Sequence, residues 1–261
     1  MAASRMKVRR KSMNIKITGK RAIVTGAGTG IGRAIAQELA EAGAKVLVIG
    51  RTESTLKETA SLHQEIDYLV ADLDRNGDIE KIVQTAQKKL KGLDVLVNNA
   101  GWAPVTPIGS VKPQEFKAAF DTNTRAVFLL TQALLPLLKE SKGNIVNVSS
   151  SAATRPVPTM SVYSGSKAAV NAFANAWAKE LAPLGIRVNT INPGPIETPI
   201  YDKTELSAEE MKAHRKKVTD MTPLARFGKP KEVSGAVLFL ASDKASFITG
   251  AELAVDGGQA L

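Results

Sequence analysis

A tyrosine and a lysine stand four residues apart in the stretch SVYSGSKAAV at 161–170, where they begin an apolar helical pattern. Positions i and i+4 of a helix lie on one face, so we expect the side chains of Tyr163 and Lys167 to lie side by side. A phenol with an ordinary pKa of about 10 is a poor acid or base at pH 7, but a nearby ammonium lowers that pKa. The pair is therefore a candidate general acid/base. The alternative is a packed tyrosine beside a lysine that extends to water.

A glycine-rich turn, TGAGTGIG at 25–32, directly follows the first apolar run and leads into a helical pattern. Glycines at such a position let the backbone turn tightly and approach a pyrophosphate, which then lies on the amides of the helix N-terminus. The spacing is GxxxGxG, because Ile31 stands where the GxGxxG pattern has its third glycine. The turn predicts a dinucleotide site, the alternative being a glycine-rich turn that binds nothing.

Seven short runs rich in valine and isoleucine end at Gly, Asn, Asp or Ser, as buried parallel strands do. They lie at 21–26, 45–50, 67–72, 94–101, 143–150, 186–194 and 251–258. Amphipathic stretches separate them, for example at 31–42, 76–91, 113–139, 163–183 and 230–241. This alternation predicts an α/β fold, a doubly wound parallel sheet of the Rossmann type with about seven strands and helices on both faces. Ligands of such sheets bind beyond the carboxyl ends of the strands.

Composition excludes several kinds of site. The 261 residues contain no cysteine and only two histidines, His63 and His214, which excludes disulfides, cysteine-bound zinc and a histidine cluster. Catalysis must therefore use other side chains. No run of about 18 apolar residues occurs, so the sequence predicts a cytoplasmic protein without membrane contacts.

The net charge of +10 is concentrated at one end of the sequence. Residues 1–20 hold seven Lys or Arg and no acid, which leaves only +3 for residues 21–261. We expect a basic, disordered tail at 1–16, with a short organelle-targeting segment as the alternative. One domain is predicted over 17–261, with a partly helical substrate lid around 195–229. Nucleic acid is not an expected partner, since no basic stripe is interleaved with aromatic residues.

Taken in order along the chain, these motifs resemble those of the short-chain dehydrogenase/reductase family. The matching features are TGAGTGIG, Asp72, NNAG at 98–101, Asn123, Ser150, Tyr163 with Lys167, NPGPIET at 192–198 and ITGAELAVDGG at 248–258. The match runs from about residue 17 to the end of the sequence. It implies a metal-independent hydride transfer between NADP(H) and a carbonyl compound or secondary alcohol.

The resemblance implies a catalytic tetrad of Asn123, Ser150, Tyr163 and Lys167. Tyr163 would exchange the proton as general acid/base, with its pKa lowered by Lys167 and by an oxidised nicotinamide. Ser150 would hydrogen-bond the substrate carbonyl, and the family pattern selects it from three consecutive serines. Asn123 would support a proton relay through water and lysine. The alternative for Asn123 is a satisfied polar residue that bends a helix.

The same resemblance implies the nucleotide-binding residues. They are Gly26, Gly28, Thr29, Gly30, Ile31, Gly32, Asp72, Leu73, Asn99, Ala100, Gly101, Pro193, Gly194, Ile196 and Thr198, together with Tyr163 and Lys167. Asp72 and Leu73 would face the adenine, the NNAG residues the adenosine ribose, and Lys167 the nicotinamide ribose. Asp72 as a plain helix cap and the PGP sequence as a plain turn are the alternatives.

The end of the second predicted strand indicates which cofactor is used. NAD-specific members of such folds place an acid there, whereas this sequence has Gly50 followed by Arg51 and Thr52. A guanidinium can form a bidentate, charge-assisted pair with a 2′-phosphate, and Thr52 can add a hydrogen bond. NADP(H) is therefore preferred and NAD(H) is the alternative, because Thr29 stands where many NADP-dependent relatives carry a second basic residue.

The expected substrate pocket is mostly apolar and is implied by the family geometry. Its residues are Trp102, Ser150, Ala152, Met160, Pro195 and Tyr201. They favour a hydrophobic ketone or alcohol over a sugar. A 3-oxoacyl-carrier-protein reductase is one alternative function. Such reductases dock the acidic carrier protein with two arginines, and this sequence has Ser141 and Leu184 at those positions. An NAD-dependent sugar or polyol dehydrogenase and a silent nucleotide-binding scaffold are further alternatives, although a scaffold has no need of the tetrad.

Family analogy also predicts a homotetramer. The long helical stretches 113–139 and 163–183 would pack between subunits.

Overall fold

The central element is a parallel sheet of strands rich in branched apolar residues. The computed structural model describes residues 15–199 and 207–261. Their strands are β1 (Arg21–Thr25), β2 (Lys45–Gly50), β3 (Ile66–Val70), β4 (Val95–Asn98), β5 (Asn144–Val148), β6 (Arg187–Pro193) and β7 (Glu252–Val255). All neighbours pair in parallel in the order β3-β2-β1-β4-β5-β6-β7. The predicted doubly wound, Rossmann-type sheet is confirmed.

Helices cover both faces of this sheet. They are α1 (Gly30–Glu41), α2 (Glu53–Ala60), α3 (Asn76–Thr85), α4 (Pro113–Phe120), α5 (Ala126–Ser141), α6 (Ser161–Leu181), α7 (Ala208–Asp220) and α8 (Pro230–Ala241). Side chains of α1, α2 and α8 pack on one face, and those of α3, α5 and α6 pack on the other. Within the described residues, no helix combines the length and the apolar composition needed to cross a membrane.

Successive side chains along each strand point to opposite faces of the sheet, and they form two separate apolar cores. Val24 and Val48 contribute to the core under α1 and α8, whereas Ile23 and Leu47 contribute to the core under α5 and α6. All four side chains are fully buried or nearly so. Because each buried aliphatic side chain stabilises the fold by about 1.5–3 kcal/mol, the sheet and its two helical layers form a rigid frame for the loops.

The helical stretch predicted at 113–139 is interrupted. A π-helical turn, Asp121–Arg125, separates α4 from α5, and a second one, Ala86–Leu90, continues α3. The first turn contains Asn123, whose fully buried amide bonds to a neighbouring loop and to α6. These tertiary hydrogen bonds explain the wider turn, since helical periodicity alone gives no sign of it.

The described part of the chain between β6 and α8 is partly helical, as the sequence predicts, and its role as a substrate lid stays a prediction. Helix α7 begins with a capping box, in which the Ser207 hydroxyl accepts from the Glu210 amide (3.3 Å) and the Glu210 carboxylate accepts from the Ser207 amide (2.8 Å). Two predictions fall outside the described residues, namely residues 1–14 of the tail and Tyr201 of the substrate pocket.

Candidate active site

The tyrosine and lysine lie on the first turns of α6, beside the carboxyl end of β5. Tyr163 is partly buried, and Lys167 is only 4% exposed. The Lys167 Nζ donates a hydrogen bond of 2.9 Å to the carbonyl oxygen of Val148, the last residue of β5. The lysine therefore does not extend to water, unlike in the packing alternative, whereas the catalytic role of Tyr163 stays a prediction.

Three consecutive serines follow β5 and take three different partners. The Ser149 hydroxyl donates to the backbone oxygen of Lys167 (3.1 Å), and the Ser151 hydroxyl donates to Gln259 Oε1 (3.2 Å). Ser150 is the serine of the three that interacts with Tyr163, and this interaction lowers the pKa of the phenol. Its Oγ also accepts from the amide of Ala152 (3.1 Å), which leaves the hydroxyl proton for Tyr163 or for a ligand. The geometry thus brings Ser150, rather than its two neighbours, to the tyrosine.

Burial controls the acidity of the pair. It raises the pKa of Tyr163 above its ordinary value, and the hydrogen bond with Ser150 opposes that increase. Burial also lowers the pKa of Lys167 to about 8. The expectation that Lys167 lowers the tyrosine pKa is therefore wrong for the cofactor-free protein, because the cost of burying a phenolate outweighs the stabilising interactions.

Asn123 is a fully satisfied polar side chain at the π-helical turn. Its Oδ1 accepts from the amide of Trp102 (2.7 Å), and its Nδ2 donates to the carbonyl of Trp102 (2.8 Å) and to Ser166 Oγ (2.9 Å). A methyl group placed on Gly101 would lie 3.2 Å from both Asn123 Oδ1 and Lys167 Nζ. The amide thus holds the loop after β4 against α6, close to the lysine, as the alternative interpretation of Asn123 requires.

A cleft of about 320 Å³ opens where the strand order reverses between β1 and β4. This is the position at which doubly wound sheets bind nucleotides. Twelve predicted nucleotide-binding residues line it, namely Gly26, Thr29, Gly30, Ile31, Gly32, Arg51, Asp72, Leu73, Asn99, Ala100, Gly101 and Thr198. The lining also includes Gly50, which the sequence analysis used for cofactor choice, and five residues that it did not select, namely Ile49, Ala71, Asp74, Thr122 and Pro199.

The glycine loop and the NNAG loop are in direct contact. Gly26 has a φ of +63°, and a Cβ on it would lie 2.7 Å from Ala100 Cα. A Cβ on Gly32 would collide with the Gly26 carbonyl and the Asn99 amide. Only glycine fits at these two positions, so the backbone leaves an open cradle at the start of α1. Such a cradle fits the pyrophosphate of a nicotinamide dinucleotide.

Thr25, which the sequence analysis missed, holds these two loops together. Its Oγ1 accepts from the amides of Asn99 and Ala100, each at 3.0 Å. The Asn99 side chain returns a hydrogen bond of 2.9 Å to the Thr25 carbonyl. A threonine at the end of the first strand is the only sequence signal of this role, and it is too common to be diagnostic.

Several other predicted nucleotide-binding residues lie outside the lining of the cleft. Gly28 packs against Thr55, Gly194 packs against Asp256, and the backbone of Ile196 pairs with that of Gly228 in an isolated β-bridge. Pro193 ends β6, and Thr52 precedes α2. Tyr163 and Lys167 lie beyond the lining of the cleft.

Two charged side chains line the cleft, the Arg51 guanidinium and the Asp72 carboxylate, and they differ in their contacts. Arg51 is exposed and has no ion-pair partner among the described residues. Asp72 is engaged, since its carboxylate accepts from the Asp74 amide (3.2 Å) and lies 3.8 Å from Arg75 Nε. The Asp72 carboxylate therefore closes the turn before α3 but does not cap that helix, whose N-cap residue is Arg75, and Arg51 is left available for an anionic ligand.

Predicted substrate-pocket residues lie on loops around the serine turn. Ala152 and Pro195 are buried, Met160 is partly buried, and Trp102 is 41% exposed. The loop after β4 and the loop before α6 are joined by a hydrogen bond of 2.7 Å from the Thr106 amide to the Thr159 carbonyl. These two loops also carry exposed apolar side chains that the sequence analysis did not single out, namely Val105, Ile108 and Val157.

Comparison with known proteins agrees with this geometry. A family model described as enoyl-(acyl carrier protein) reductase matches residues 26–260. The 3-oxoacyl-[acyl-carrier-protein] reductase FabG of Thermotoga maritima is 38% identical over 249 residues, covering 94% of this chain and 99% of that protein. An L-xylulose reductase of Caenorhabditis elegans is 39% identical over 251 residues, covering 94% and 97%.

A solved structure shares the fold over nearly the whole chain. The 3-ketoacyl-(acyl-carrier-protein) reductase of Brucella melitensis, complexed with NADH, superposes with a TM-score of 0.88 at 34% identity. The match covers 94% of this chain and 100% of that one.

Proposed function

This chain belongs to the short-chain dehydrogenase/reductase family, and we propose that it transfers a hydride between NADP(H) and an apolar carbonyl compound or secondary alcohol. Its class, a nicotinamide-dependent oxidoreductase, follows from the family. The observation that carries the proposal is the placement of Ser150 against Tyr163, one helical turn from the buried Lys167 and at the edge of the glycine cradle's cleft.

The cleft supplies the nucleotide-binding part of the mechanism. The cradle at Gly26 and Gly32 would hold the pyrophosphate on the amides that begin α1. Asp72 and Ala100 line the same cleft and would face the adenosine. When bound there, NADPH supplies a hydride to a carbonyl carbon, and NADP⁺ accepts one in the reverse direction.

Ser150 and Tyr163 perform the proton chemistry. Because the Ser150 oxygen already accepts from the Ala152 amide, its hydroxyl donates to the substrate carbonyl oxygen and orients it. The Tyr163 hydroxyl then gives its proton to that oxygen as the alkoxide develops. Burial raises the pKa of Tyr163, so the phenol stays protonated before reduction. Lys167 is a buried neighbour on the same face of α6, and Asn123 holds the loop at Gly101 beside it.

Preference for NADP(H) is supported by the end of β2. Gly50 offers no carboxylate to a ribose 2′-hydroxyl, and Arg51 is an exposed guanidinium at the mouth of the cleft. Such a group suits a 2′-phosphate. NAD(H) remains the alternative cofactor, and the Brucella relative is described as complexed with NADH.

An apolar substrate is supported by the exposed hydrophobic residues around the serine turn. Trp102, Val105 and Ile108 from one loop and Val157 from the other leave apolar surface at this end of the sheet. A carrier-bound substrate has less support. Ser141 donates its hydroxyl to the Leu93 carbonyl (2.5 Å) and Leu184 is an exposed apolar residue, so neither position can pair with an acidic carrier protein.

A homotetramer is part of the proposal. Aromatic side chains of α5 and α6 form a cluster in which the Phe128 ring lies 5.5 Å from that of Phe173 and 5.7 Å from that of Trp177. Phe128 is 38% exposed there. A second copy presenting the same helices would cover this face. The cytoplasmic location and the absence of nucleic-acid partners stay predictions.

A panel of apolar ketones, keto esters, sugars and polyols, followed by nicotinamide absorbance with NADPH and with NADH, tests the proposal. We expect the highest kcat/KM with an apolar ketone and NADPH. Binding of NADPH without turnover of any member of the panel would instead support a silent nucleotide-binding scaffold.

A further inference from the structure

Residues 256–261, which follow β7, form a tight turn closed by a buried carboxylate. Asp256 is 9% exposed, and its two oxygens accept from the amides of Gly258 and Ala260, each at 2.9 Å. Gly257 and Gly258 have φ values of +66° and +86°, which glycine adopts without strain. This turn, here named the 256–261 segment, therefore has a defined shape of its own.

The 256–261 segment packs against the chain that follows the lid helix α7. The amide of Leu224 donates to the Gly257 carbonyl (3.0 Å). A Cβ on Gly257 would lie 2.8 Å from Thr222 Cγ2, and one on Gly258 would lie 3.0 Å from Pro223 Cγ. The two backbones thus lie in direct contact along the end of the lid.

The same segment also holds the serine turn. Gln259 Oε1 accepts the hydrogen bond of 3.2 Å from the Ser151 hydroxyl, and the Ala260 carbonyl accepts one of 3.0 Å from Arg155 Nε. Ser151 is 7% exposed, and Ser150 is 8% exposed. The two neighbours of Ser150 are therefore held by different elements. The Ser149 hydroxyl bonds to the backbone of α6, and the Ser151 hydroxyl bonds to the 256–261 segment.

We propose that Gln259 is a positioning residue which, through Ser151, sets the direction of the Ser150 hydroxyl. The turn at Ser151–Ala153 is a single 3-10 turn, whose hydrogen-bond geometry is weak, so a side-chain tether contributes much of its definition. The segment that carries Gln259 also contacts the chain after α7. The same segment therefore contacts both that chain and the turn that carries Ser150. The inference rests on the proposed function of Ser150.

Gln259→Leu and Gln259→Glu separate this role from general packing. Leucine removes the acceptor, whereas glutamate keeps an oxygen for the Ser151 hydroxyl. Loss of one neutral hydrogen bond predicts that Gln259→Leu lowers kcat/KM for the best ketone by roughly threefold to tenfold, mainly through kcat. Gln259→Glu should recover most of that loss. The Kd for NADPH, measured by fluorescence, should stay within about twofold of wild type for both variants, since the segment does not line the nucleotide cleft.

Two reference variants complete the experiment. Gln37→Leu removes a comparable surface hydrogen bond, from Gln37 to Glu41 on α1 (2.9 Å), and should leave kcat/KM unchanged. Tyr163→Phe should be inactive. If Tyr163→Phe is inactive but Gln259→Leu equals wild type, or if glutamate is no better than leucine, the positioning role is wrong. If Tyr163→Phe stays active, the proposed function itself fails.

Discussion

At the scale of single residues, the site is governed by burial rather than by charge pairing. Lys167 is almost fully buried and Tyr163 is partly buried, and burial disfavours the charged form of each, which raises the pKa of the phenol and lowers that of the ammonium. The protein therefore keeps a protonated tyrosine beside a lysine that loses its proton near pH 8. A negatively charged or polar ligand that reaches the lysine would shift this balance.

Lys167 gives the cofactor-free protein a pH-dependent stability. Its pKa is about 8 in the folded chain against 10.5 for an exposed lysine, so in that window the unfolded chain binds more protons and stability rises with pH. Between pH 7.5 and 9.5, the free energy of unfolding of wild type should rise by about 1–2 kcal/mol relative to Lys167→Met. The raised pKa of Tyr163 acts in the opposite direction, but only above about pH 10.

Urea unfolding of both proteins at several pH values measures this difference. The Lys167→Met protein serves as the matched control, because it keeps an unbranched side chain of similar size and lacks the titrating group. Parallel stability curves for the two proteins would contradict the assigned burial of the ammonium.

At the scale of secondary-structure elements, we expect the end of β2 to decide cofactor choice. A Cβ on Gly50 would lie 3.3 Å from the flexible end of Leu56, so a small acid can be introduced there with little adjustment. Arg51 follows it at the mouth of the cleft. This single strand end therefore presents a cation where a carboxylate would select NAD(H).

Replacing this cation with an acid should reverse the preference. Wild type should favour NADPH over NADH by roughly tenfold to a hundredfold in kcat/KM, since hydrogen bonds to a charged group contribute about 1.5–3 kcal/mol. Arg51→Ala alone should remove the preference, and Gly50→Asp with Arg51→Ala should invert it. Equal or better kcat/KM of wild type with NADH on the same substrate would make an NAD-dependent dehydrogenase the better assignment.

The alternation of strands and helices was predictable because buried parallel strands leave uninterrupted apolar runs in the sequence. The glycine cradle was predictable too, since only glycine allows the contact between Gly26 and Ala100. The π-helical turn at Asn123 and the role of Thr25 were not, because both depend on hydrogen bonds to distant loops. The raised pKa of Tyr163 in the cofactor-free protein was not predictable, since the sequence shows the neighbouring lysine but not the extent of burial.

At the scale of the whole molecule, the aromatic face of α5 and α6 is the surface that an assembly would cover. Phe128 lies on this face beside Phe173 and Trp177, and Phe116 of α4 is 49% exposed nearby in the chain. Exposed aromatic clusters of this kind are typical of subunit interfaces. The two long helices thus support the active site on one side and offer an association surface on the other.

Introducing a charge on this face should separate the subunits. Phe128→Lys is expected to reduce the four-chain mass in light scattering to that of dimers or monomers, because a buried, unpaired ammonium is costly at an interface. Leu62→Lys, at a 45% exposed position after α2, is the matched control and should leave the mass unchanged. An unchanged assembly for Phe128→Lys would place the subunit contacts elsewhere.

The central claim, that Tyr163 is the proton donor of a nicotinamide-dependent reductase, is tested most directly by Tyr163→Phe. Phenylalanine keeps the ring but removes the hydroxyl that interacts with Ser150. On the best ketone of the panel, kcat should fall by at least about a hundredfold, the scale of general acid catalysis. The Kd for NADPH should stay within a few-fold, because Tyr163 does not line the nucleotide cleft. A Tyr163→Phe protein that keeps near wild-type kcat would contradict the account.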